Sequence, residues 1–102
     1  MNINDFINAI ETEWEPDSGF FWKVRQGDFD RQGYTRTLSK LQAMTIDANR
    51  DLPRRLVSVL WYIPLFMSWQ VERVREAGGD DKDYQIAITA ATNEVERLLG
   101  TP

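Results

Sequence analysis

The chain has 102 residues, with 16 acidic and 12 basic side chains, a net charge of −4, and neither cysteine nor histidine. That length suits one domain covering residues 1–102, able to bury about 60–70 % of its unfolded surface without disulfide staples. The composition excludes thiolate nucleophiles, cysteine- or histidine-ligated metals and imidazole acid–base chemistry, and its acidity weighs against general nucleic-acid binding. The expectation is a protein that binds rather than catalyses, with no cofactor and no metal.

The first helix is expected from Ile3, with Asn2 as N-cap and Asp5 near the positive end of the helix dipole. Ile3, Phe6, Ile7, Ile10 and Trp14 recur at three- and four-residue spacing. Pro16 and Ser18-Gly19 then stop it near Glu13 or Trp14. Between Gly19 and Gly27 the residues Phe20, Phe21, Trp22 and Val24 are crowded together. They have strand-like character, but no second strand pairs with them. Residues 15–29 therefore read as an ordered, aromatic-rich loop.

A second helix is expected from Asp30, with Asp28 or Asp30 as cap and Tyr34, Leu38, Leu41 and Met44 inward, fading between Ile46 and Arg50. The third is the most apolar. Asp51 can cap it, Pro53 suits its first turn, and Leu56, Leu60, Ile63, Met67, Val71 and Val74 form its stripe. Its middle is apolar nearly all round, which predicts a central helix surrounded by the others, reaching Ala77 and kinked at Pro64. The apolar stretch from Leu56 to Trp69 is 14 residues, short of the roughly 20 that cross a bilayer. A fourth helix spans Asp81 to Leu99 and stops at Gly100. The fold class is thus all-α, a single-domain bundle of about four helices. No basic, then apolar, leader is visible near Met1, and a cytoplasmic location is expected.

Three constellations invite chemistry. The run from Gly27 to Gly33 has the oxygen spacing of a calcium loop, but Ser39 stands where the bidentate glutamate belongs, and Arg31 and Arg36 oppose a cation. Glu11 with Glu15, Glu72 with Glu76, and Asp80, Asp81 and Asp83 offer paired carboxylates. None lies inside an apolar stretch that would raise a pKa. Arg31, Arg36, Lys40, Arg50, Arg54 and Arg55 offer a basic stripe over residues 31–55, without the glycine-rich loop of a phosphate site.

Charge placement is more informative. Residues 1–30 carry −5, residues 31–58 carry +4 and residues 59–102 carry −3. Glu13, Glu15, Asp17, Asp28 and Asp30 surround the segment bearing Phe20, Phe21 and Trp22. Either these aromatics are core plugs, or the acids ring an apolar centre suited to a basic partner.

Two segments carry a resemblance. One runs from Phe6-Ile7 through Trp14-Glu15-Pro16 to Gly19-Phe20-Phe21-Trp22-Lys23-Val24-Arg25-Gln26-Gly27-Asp28-Phe29. The other runs from Arg54-Arg55 to Arg73-Val74. Together they resemble small acidic bacterial immunity proteins of the contact-dependent growth inhibition and polymorphic toxin type. The resemblance implies a cytoplasmic inhibitor that binds the C-terminal toxin domain of a cognate effector, often a nuclease. It implies no membrane, small-molecule substrate or direct nucleic-acid contact. The expected toxin-contacting residues are Glu13, Glu15, Asp17, Asp28 and Asp30. The competing expectation is a small helical nucleic-acid-associated regulator that uses the basic 31–55 segment.

Overall fold

The computed structural model describes residues 2–102. They form six α-helices and a 3-10 turn, with no strand: α1 (Ile3–Glu11) running into the turn Thr12–Trp14, α2 (Phe20–Arg25), α3 (Arg31–Ala43), α4 (Arg54–Trp69), α5 (Val71–Glu76) and α6 (Asp81–Leu99). The all-helical expectation holds, and each of the four expected segments is helical. The count differs because α2 was read as loop and because the long third helix is divided.

The two ends of the chain follow local rules. The Asn2 side chain accepts the Asp5 N–H at 2.8 Å, and Ile3, Phe6, Ile7 and Ile10 are buried along one stripe of α1. The Asp80 carboxylate accepts the N–H groups of Lys82 and Asp83 at 3.0 and 3.1 Å at the start of α6. Gly100, at φ 86°, ends it.

The aromatic segment is a helix because its first turn is capped from outside. Gly19 stands at the N-cap with no side chain to offer, and the Phe20 N–H donates instead to Glu13 Oε1 at 3.1 Å. Only glycine fits at 19: a Cβ there would lie 2.3 Å from the Glu13 carbonyl oxygen. Phe20, Phe21 and Val24 face inward, with Phe21 stacked on Trp14 at 4.6 Å.

The third helix was expected to reach Ala77 with a kink at Pro64. The structure breaks it at Gln70, six residues beyond Pro64, which lies inside α4. At the break the Met67 carbonyl accepts both the Gln70 N–H, at 3.1 Å, and the buried Tyr84 hydroxyl, at 2.8 Å. Together these two donors fill both lone pairs of the carbonyl, leaving neither for the next N–H of a continued helix. Asp51 is not its cap; Pro53 holds that place. α3 also ends earlier than expected, at Ala43, where the Arg97 guanidinium donates to the carbonyls of Leu41 and Met44 at 3.0 Å each.

α4 packs on α6, α1 and α5, and buries Leu56, Val59, Leu60, Ile63, Phe66 and Met67. It is not surrounded. The molecule measures 44 × 29 × 19 Å, so its thinnest direction is about two helix diameters. Two layers leave α4 a solvent side, where Trp61 is 50 % and Trp69 59 % exposed. No helix among the described residues is long and apolar enough to cross a membrane.

α2 and α5 end in the same way. Gly27 and Gly78 sit at φ 86° and 89°, and the six-to-one bonds Asp28 N–H to Lys23 O and Gly79 N–H to Val74 O both measure 2.9 Å. Their surroundings differ. A Cβ at Gly27 would meet the Arg73 carbonyl oxygen at 2.7 Å, whereas one at Gly78 meets nothing within 4 Å. Gly78→Ala should therefore cost about 1 kcal/mol for the left-handed backbone alone. Gly27→Ala should cost about 1–3 kcal/mol more for the clash between α2 and α5. Urea midpoints of the two variants test this; equal losses would contradict the packing described.

Candidate functional site

Extending the stripe of Ile3, Phe6 and Ile10 by three residues reaches Glu13, which the 3-10 turn holds inside the protein at 1 % exposure. Its carboxylate is fully engaged. Arg36 donates Nε–H to Oε2 at 2.7 Å and Nη2–H to Oε1 at 2.6 Å, Lys40 Nζ donates to Oε2 at 2.6 Å, and the Phe20 N–H completes the set. Burial by itself would raise this pKa. The hydrogen bonds from Arg36, Lys40 and the Phe20 backbone outweigh it and hold the group at about 2. Glu13 thus ties the end of α1 to the start of α2 and to the middle of α3.

The five acids expected at an interface do not form one patch. Glu13 is withdrawn from any contact surface, being buried and compensated by two cations. Asp30 stands at the N-cap of α3, half-buried, 3.2 Å from Lys23 Nζ. Burial opposes its ionisation, but Lys23 and the N–H groups of Gly33 and Gln32 keep its pKa below the usual value. Glu15, Asp17 and Asp28 are exposed, and no ion pair engages them among the described residues. Glu15 and Asp17 occupy the turn before α2. Asp28 lies beyond its other end, beside Gly78, Gly79 and Asp80.

The basic segment is mostly engaged as well. Arg31 contacts Asp83, Arg36 and Lys40 hold Glu13, and Arg55 meets Glu11 at 3.1 Å. Of the six side chains proposed for a stripe, Arg50 and Arg54 remain without an ion pair among the described residues. Most of the paired carboxylates also have structural partners: Glu11 binds Arg55, Glu72 and Asp81 bind Arg75, Asp83 contacts Arg31 and Asp80 caps α6, while Glu15 and Glu76 have no ion pair among the described residues.

Of the two alternatives for the aromatics of residues 20–22, the core one holds for Phe20 and Phe21, and the exposed aromatics lie on α4. Phe20 and Phe21 are core and Trp22 is half-buried. The solvent side of α4 instead presents Trp61 and Trp69, each edge-on to Tyr62 with ring centres 5.6 and 5.9 Å away. Tyr62 in turn lies 5.8 Å from Trp14. Next to this row is a cleft of about 440 Å³, lined in part by Glu11, Trp14, Arg25, Arg55, Trp61 and Tyr62. The signal for this face was present in the sequence: residues 61, 65 and 69 recur every four positions, opposite the stripe already assigned to the core. No family model, curated protein or solved structure matches this chain.

Glu13 makes a pH-dependent prediction. Its folded pKa lies below the unfolded value near 4.5, so its contribution is complete above about pH 5 and is lost as pH falls towards 2. Arg36 and Lys40 remain 45 % and 22 % exposed, so they can hydrate in part once the carboxylate is gone. Glu13→Gln should therefore cost about 2–4 kcal/mol at pH 7, rather less than for a fully buried pair. The gap to wild type should close progressively between pH 5 and pH 2. Urea denaturation across that range measures it, and a gap independent of pH would contradict the ionised hub.

Proposed function

We propose that this chain is a non-enzymatic inhibitor, an immunity protein that binds and neutralises the toxin domain of a cognate effector in the cytoplasm, the toxin being of nuclease type. The observation that carries the reading is the exposed Trp61 and Trp69 row on α4, joined by Tyr62 and flanked by Arg25 and Arg55. Trp, Tyr and Arg are the residues that dominate binding energy at protein interfaces, where a partner desolvates them. An unpartnered pair of indoles on the most apolar helix is costly for a monomer and useful for a complex.

Charge supports the same partner. A nuclease must present a basic face to phosphates, and a protein of net charge −4 attracts such a face from a distance. In this reading Glu15, Asp17 and Asp28 steer the encounter, while the aromatics hold the complex. The bend expected at Pro64 belongs here too: it falls between Trp61 and Trp69, where the bond withheld from the Leu60 carbonyl lets α4 adjust as the partner seats.

The test is to find whether the gene immediately upstream encodes a toxin domain and to co-purify that domain with this protein, followed by binding kinetics. Trp61→Ala and Trp69→Ala should each weaken the complex about 30-fold, chiefly through faster dissociation. Lysine at positions 15, 17 and 28 together should slow association about tenfold at low salt and leave dissociation nearly unchanged. Full protection of cells by the double tryptophan variant would overturn the reading.

A further inference from the structure

We propose that the cleft between α1, α2 and α4 is the specificity point of that face, taking a carboxylate that the partner protein carries beside a large apolar side chain. The inference rests on the reading of the face as protein-binding, and goes beyond it by fixing the local chemistry of the partner.

The cleft reverses the charge of the molecule around it. Three of the lining side chains are charged: Glu11, Arg25 and Arg55. Glu11 is held by Arg55 at two points, Nε to Oε1 at 3.3 Å and Nη2 to Oε2 at 3.1 Å, so that pair is closed on itself. Arg25 is left over. Its guanidinium lies 5.7 Å from the Trp14 ring centre and 5.4 Å from that of Phe66, and its own carbonyl accepts Arg73 Nη1–H at 2.9 Å. Two ring faces and a pinned backbone hold it in place. Among the described residues it has no acidic partner, and no hydrogen bond engages its planar donors. A guanidinium held against indole and phenyl rings suits a carboxylate next to an aromatic or aliphatic group.

This polarity has a use. An acidic protein attracts many basic surfaces, and attraction alone does not select among them. An arginine at the edge of the aromatic row repels a uniformly basic face and favours one that offers a carboxylate at that point. Arg25 thereby sets which partner fits, while the outer acids set how fast it arrives.

The test needs no partner. Wild-type protein and Arg25→Gln are titrated with 3-phenylpropionate, 3-phenylpropan-1-ol, 3-phenylpropylamine and the peptide acetyl-Phe-Glu-amide, following the indole N–H resonances of Trp14 and Trp61 by NMR. The carboxylate probe should bind about tenfold more tightly than the amine, with the alcohol between, and the preference should shrink with salt. The peptide should bind at least as tightly as the free acid. In Arg25→Gln the preference should vanish while alcohol binding stays within about twofold. Equal binding of acid and amine, no shift at Trp14 and Trp61, or a free acid that clearly outbinds the peptide would each overturn the proposal, the last by pointing to a small-molecule site. Toxin capture is a separate measurement, so failure here and failure of the inhibitor reading are distinguishable.

Discussion

A buried carboxylate must be matched by cations and donors, and the way this chain matches Glu13 organises its N-terminal half. The side chain sits on the apolar stripe of α1, where a charge is costly unless paired. Arg36 and Lys40, one turn apart on α3, supply the pairing, and the first N–H of α2 supplies the remaining donor. Three elements are therefore tied by one group. The short helix α2 has a cap only because Glu13 is inside, and its aromatics reach the core only because the helix forms.

The same interaction explains the charge pattern. An acidic first segment followed by a basic one suggests two surfaces of opposite sign. In the fold they face each other: Glu11 meets Arg55, and Glu13 meets Arg36 and Lys40, while Asp30 pairs within its own segment, with Lys23. What reaches solvent unpaired from the first thirty residues is a smaller acidic set that includes Glu15, Asp17 and Asp28. Arg25 is one of several cations without a carboxylate among the described residues, and it lies against Trp14 and Phe66 at the edge of the aromatic row on α4.

Much of the fold was legible from periodicity and punctuation. Asn2, Asp80, Gly78 and Gly100 mark ends by local chemistry, and the stripes of α1 and α4 predict most of what those helices bury. The departures share one physical cause, side chains acting across long sequence separations. Glu13 caps α2, Tyr84 occupies a carbonyl at the end of α4, and Arg97 closes α3. No local pattern encodes these bonds. The candidate site was legible in part. Two acids near α2 were displaced by burial or pairing, although the spacing of Glu13 from Phe6 and Ile10 already placed it inward. The open side of α4 depends on how many layers the bundle has, and apolar content alone does not specify that.

Glu13 is a buried tie between helices, not a surface charge. A double-mutant cycle on Glu13→Gln and Lys40→Met, read by urea denaturation at pH 7, addresses it directly, with Glu11→Gln and Arg55→Met as the exposed reference pair. The expected coupling is about 2 kcal/mol for Glu13 with Lys40, and below about 0.5 kcal/mol for Glu11 with Arg55. Equal couplings in the two cycles would contradict Glu13 as a buried tie.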